Sequence, residues 1–109
     1  MKRIQYLKGH RSTVVSLTPF TFNHCHYLIS AGKDRQLRIW KNAEGNEYMN
    51  CATVMKSHAR IIWCSCMVLQ ENDDFVVFAT GSRDMKVKLW KFDKESNIQV
   101  DFYHFANYN

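Results

Sequence analysis

Apolar positions fall into two local rhythms along this chain. Tyr27 to Ala31 and Phe75 to Thr80 are short, nearly continuous runs of apolar, β-branched and aromatic side chains, while Gln36 to Trp40 and Lys86 to Trp90 alternate polar and apolar at period two. Both patterns predict strands. A short turn separates the members of each pair and carries Asp34 or Asp84, a residue type whose side chain bonds nearby backbone and suits tight turns. Each pair is therefore a predicted hairpin. Outside the hairpins, Val14 to Thr18 alternates and is expected to end at Pro19, which cannot donate to a ladder. Phe20 to His26 then reads as a loop, Asn42 to Asn46 as a polar turn and Tyr48 to Val54 as a strand. Ile61 to Val68 restarts the pattern, Gln70 to Asp74 is an acidic turn, and Ile98 to His104 offers a last strand.

The two hairpins are near copies. Ser30 to Lys41 and Thr80 to Lys91 lie fifty residues apart, and each places a hydroxyl residue ten positions, and an aspartate six positions, before a tryptophan. His10 and His58 stand 30 and 32 residues ahead of Trp40 and Trp90. Serine, histidine and aspartate together also suggest a catalytic triad, but a triad is recognised by geometry and roles. Repetition at a fixed offset from tryptophan is better explained by strand stitching.

This arrangement resembles the WD40 repeat. The resemblance implies an all-β fold, a WD40 β-propeller fragment of two four-stranded antiparallel blades. The first repeat would span residues 1–55, with an outer strand from a preceding repeat at 3–7; the second would span 56–104, leaving 105–109 as a tail. It also implies that His10, Ser30, Asp34 and Trp40, and likewise His58, Thr80, Asp84 and Trp90, form hydrogen-bonded structural tetrads. A buried carboxylate is tolerable only when its oxygens are satisfied. Propellers close with about four to eight blades, so two blades are expected to belong to something larger.

Composition narrows the function classes. The chain has 109 residues, 46% hydrophobic and 14% aromatic, enough for one small core but not for several domains. No apolar signal segment follows the basic start, and no stretch approaches the roughly 18 apolar residues of a spanning helix. An intracellular location is expected, with Cys25, Cys51, Cys64 and Cys66 as reduced thiols. His24-Cys25-His26 and Cys64-Ser65-Cys66 offer zinc-type ligands at spacings unlike those of structural zinc sites, and the thiols read instead as buried filler. The four glycines do not cluster, which excludes a phosphate-cradling loop. No metal, cofactor or small-molecule substrate is expected. The net charge of +5 permits acidic partners such as RNA, although lysine and arginine on strands also serve to solvate them. The aromatics Trp63, Phe75, Phe78, Phe102, Tyr103 and Phe105 read as core or blade packing.

The second repeat is more specific. Lys56 to Trp63, with its His58-Ala59-Arg60-Ile61-Ile62-Trp63 core, followed by Phe78 to Trp90, is similar to a blade of the Elongator complex protein 2 family. Gly9-His10 and Lys33 to Trp40 fit the blade before it. This likeness implies a non-catalytic scaffold subunit in the cytoplasm and nucleus, assembling with the first and third Elongator subunits. The complex starts carboxymethyl-type modification of tRNA wobble uridines. Arg60 and Trp63 become candidate interaction residues, and weak or indirect tRNA contact stays open. The alternatives are a generic WD40 protein-protein adaptor and an RNA-contacting WD40 module.

Overall fold

The computed structural model describes residues 5–42, 47–70 and 73–103, with side chains through residue 100. Eight strands follow one another: β1 (Val14–Phe22), β2 (Cys25–Gly32), β3 (Leu37–Asn42), β4 (Met49–Val54), β5 (Ile62–Leu69), β6 (Phe75–Ser82), β7 (Val87–Asp93) and β8 (Ile98–Tyr103). Each consecutive set of four forms an antiparallel meander, in the orders β1-β2-β3-β4 and β5-β6-β7-β8. Among the described residues there is no helix.

The proposed strand at 3–7 is not found in its described part. Residues 5–7 carry no strand, and 3 and 4 lie outside the described residues. Gln5 instead clips the start of the outer strand, its amide donating to the Tyr48 carbonyl and accepting from the Tyr48 N–H, both at 2.9 Å. Pro19 does not end β1 either, because it pairs opposite Leu28 within a strand that runs on to Phe22. β1 lies at a sheet edge, where a missing N–H can be accommodated. The expected loop over Phe20 to His26 shrinks to Asn23 and His24, both at positive φ (52° and 64°). Two left-handed residues in a row make the tight hairpin turn whose twist matches its strands.

That correction supplies the core between the sheets. Phe20 and Phe22, now on a strand, meet Tyr27 and receive Phe92 from the second sheet. Phe20 stacks on Tyr27 at 4.9 Å and 7°, while Phe92 stands edge-on to Phe20 at 6.1 Å and 82°. Nearer the other end of the strands the contact is polar: Ser65 meets Ser16 at 2.7 Å and Thr18 at 2.6 Å through their hydroxyls. The two sheets thus share one face each. Residues 43–46, 71–72 and 104–109, including parts of the expected turns and the whole tail, lie outside the described residues.

Candidate functional site

Antiparallel register brings the repeated polar residues together. The β2–β3 turn presents Asp34 to the segment ahead of β1, where His10 sits, and the ladder sets Ser30 and Trp40 on neighbouring strands. His10 Nδ1 lies 2.9 Å from Asp34 Oδ2, its Nε2 lies 2.6 Å from Ser30 Oγ, and Trp40 Nε1–H donates to the same hydroxyl at 2.8 Å. The second sheet repeats this arrangement: His58 to Asp84 at 3.0 Å, His58 to Thr80 Oγ1 at 2.7 Å and Trp90 to Thr80 at 2.8 Å. A carboxylate only accepts, so the Nδ1 of each ring carries the proton. In the neutral ring Nε2 then accepts from the hydroxyl, which in turn accepts from the indole. The order of contacts is that of a triad, but each hydroxyl is buried and one of its lone pairs faces an indole N–H.

Backbone amides complete the carboxylates. Arg11 N–H and Gln36 N–H donate to Asp34 at 2.7 and 3.0 Å; Ala59 N–H and Lys86 N–H donate to Asp84 at 3.1 and 2.9 Å. Burial pushes the Asp34 carboxyl up, but the amides of Arg11 and Gln36 and the His10 ring outweigh it and hold it below its usual value. Asp84 is likewise raised by burial and brought below its usual value by His58 and the same kind of amides. Burial pulls His58 down, and Asp84 only partly opposes this. Neutral imidazole against ionised carboxylate is therefore the favoured state of the second chain. The residue missed by sequence reasoning in each turn is the left-handed one, Arg35 at φ 66° and Met85 at φ 70°. Neither residue type signals that conformation.

Comparison with known proteins agrees with this geometry. The WD domain, G-beta repeat family matches residues 1–41 and 49–91, the two stretches that carry the paired chains. The chain belongs to the WD40 repeat family. It is 36% identical over 102 residues to Elongator complex protein 2 of Dictyostelium discoideum, and 40% identical over 95 residues to that of Schizosaccharomyces pombe, covering 90% and 86% of this chain. These alignments cover 10% and 12% of the two relatives, so the chain spans about a tenth of their length. It is also 30% identical over 89 residues, 79% of this chain and 12% of the relative, to a general transcriptional corepressor of Saccharomyces cerevisiae.

The remaining sequence candidates sit on the WD40 blades as follows. Trp63 is not packed in the core; it is 56% exposed. The ladder pairs Ile62 with Ser82 and Cys64 with Gly81, leaving Trp63 as the extra residue of a bulge that re-aims its side chain. Arg60, just ahead of it, is exposed. Cys64 and Cys66 are exposed as well, contrary to the expected buried thiols, because they share the blade face turned away from Ser65 and the first blade. Phe78 is fully buried and Phe75 half-buried, whereas the side chains of Phe102 and Tyr103, and all of Phe105, lie outside the described residues. His24 and His26 line a polar cavity of about 390 Å³ with Asp73 and Gln70. Among the described residues, no group of three or more histidine, cysteine or acidic side chains is gathered to hold a metal.

Proposed function

We propose that this chain is part of a non-catalytic WD40 scaffold of the Elongator type. The carrying observation is similarity to Elongator complex protein 2 of two distant organisms over 86–90% of the chain. The burial of Ser30 and Thr80 supports a non-catalytic role, since a nucleophile must meet its substrate. In this reading the tetrads hold each blade rigid, and partner contact falls to exposed groups such as Arg60 and Trp63. The proposal includes assembly with the first and third Elongator subunits, support of wobble-uridine modification of tRNA, and a cytoplasmic and nuclear location.

Affinity capture of the protein containing this chain tests the proposal directly. Co-purification of the first and third subunits is expected, with loss of carboxymethyl-type wobble uridines on deletion and residence in both compartments by fractionation. Recovery of neither subunit, with normal wobble uridines after deletion, would reject it. A generic adaptor is the second reading, favoured by the match to a corepressor over 79% of the chain; capture of a different complex would select it.

A further inference from the structure

The two ends of the blades differ sharply in charge. At the end that holds the tetrads, the first blade presents Lys8 and Arg11 ahead of β1, and Lys33 and Arg35 in the β2–β3 turn. The second blade matches it with Lys56 and Arg60 ahead of β5, and Arg83 and Lys86 in the β6–β7 turn. Every connection at this end thus carries two cations. Its only described carboxylates, Asp34 and Asp84, already accept from a histidine and two backbone amides each. The opposite end carries Glu47, Asp73, Asp74, Asp93 and Glu95 against Lys41, Lys91 and Lys94, the last paired with Asp74 at 3.2 Å.

Sequence alone puts these cations near the hairpins; the fold lines them along one edge. Backbone bonds tie the connections to each other, from Lys33 N–H to the Thr13 carbonyl at 2.9 Å, from Ser57 N–H to the Arg35 carbonyl at 3.0 Å and from Arg83 N–H to the Ile61 carbonyl at 3.0 Å. The middle bond crosses from one blade to the next, so the edge is continuous and pre-ordered. All eight cations but the half-buried Arg35 are exposed, and among the described residues none of the eight forms a salt bridge. Solvating a strand does not require eight cations at one end with most of the described acids at the other. Trp63 adds a planar, 56% exposed face three residues after Arg60.

We propose that this edge is a docking surface for single-stranded RNA, with phosphates held by the paired cations and a base stacked on Trp63. An acidic peptide would satisfy the charges, but it covers the exposed indole only where an aromatic side chain falls opposite Trp63, whereas every nucleotide of a single strand carries a base that can stack there. Cations that track a backbone beside an aromatic platform are the combination that single strands use. The inference rests on charge and exposure and does not depend on the Elongator reading.

The test is fluorescence anisotropy with the whole chain and a labelled single-stranded RNA of about twenty nucleotides. If about five phosphates are neutralised, the logarithm of affinity falls with log salt at a slope of about −3.5, roughly a hundredfold between about 50 and 200 mM. The triple reversal Lys33→Glu, Arg60→Glu, Lys86→Glu should weaken binding more than about thirtyfold. The same charge change at the opposite end, Lys41→Glu, Lys91→Glu, Lys94→Glu, should cost less than about threefold. Trp63→Ala should lose about tenfold with the salt slope unchanged, and RNA should quench Trp63, because Trp40 and Trp90 are buried. Thermal melting of each variant separates lost binding from lost fold. Absence of binding at low salt, equal losses in the two triple variants, competition by polyglutamate as strong as by RNA, or unaltered binding by Trp63→Ala overturns the proposal.

Discussion

Phe92 of the second blade stands edge-on to Tyr27 of the first, ring centroids 5.5 Å apart at 75°. Phe92 is fully buried, and with Phe20 and Phe22 alongside it the contact joins the blades through aromatic surface. Truncating Phe92 leaves a cavity at the joint that two separately paired sheets cannot readily collapse into. Phe92→Ala is expected to destabilise the chain by about 3–5 kcal/mol in urea titration. Val100→Ala, at an exposed site, should stay within about 0.5 kcal/mol. Equal midpoints for the two variants would contradict a coupled two-blade core.

Asp84→Ala removes the acceptor for the His58 ring and for the Ala59 and Lys86 amides. The expected loss is about 1–3 kcal/mol, the cost of leaving buried donors unpaired. Arg83→Ala, one position earlier and exposed, is the control and should change the melting midpoint little. Lys88 is a poor control despite its place on a strand, since its ammonium donates to the Ser57 carbonyl at 2.6 Å.

Stability should fall with acid in two stages. His58 titrates below its usual 6.5 in the folded chain because burial disfavours its charged form, so the unfolded chain takes the proton first. The His58 contribution is complete above about pH 6.5 and is lost as pH falls toward its folded value. Asp34 and Asp84, held below their usual 3.8, contribute fully above that pH and lose their share as pH falls through their folded values. Urea midpoints at pH 7.5 and 5.5 read the first stage. His58→Gln should flatten it, and an unchanged slope in that variant would assign the loss to other groups.

Met85 occupies a left-handed position at φ 70° and is 68% exposed. A side chain there costs about 1–2 kcal/mol, partly offset by the extra unfolded-state freedom that glycine brings. Met85→Gly should therefore raise stability by about 0.5–1 kcal/mol. A lower melting midpoint would show that Met85 makes a contact worth more than the backbone strain.

Hairpins over residues 27 to 40 and 75 to 90 were legible because their signals are local. Period-two alternation, a turn aspartate and a fixed offset to tryptophan all act within about a dozen residues. The blade architecture and the residues of both hydrogen-bonded chains came from the resemblance of that repeat to WD40. Other features depended on register and on neighbours distant in sequence. Asn23 and His24 resemble loop residues until the pairing of Phe22 with Cys25 makes them a two-residue turn. Trp63 and the thiols beside it have core-like chemistry, but a bulge opposite Ser82 and Gly81 and the side of the sheet left uncovered put them at the surface. The cationic edge is likewise invisible in composition, because paired charges in four separated connections converge only when antiparallel strands return each connection to the same end of the blade.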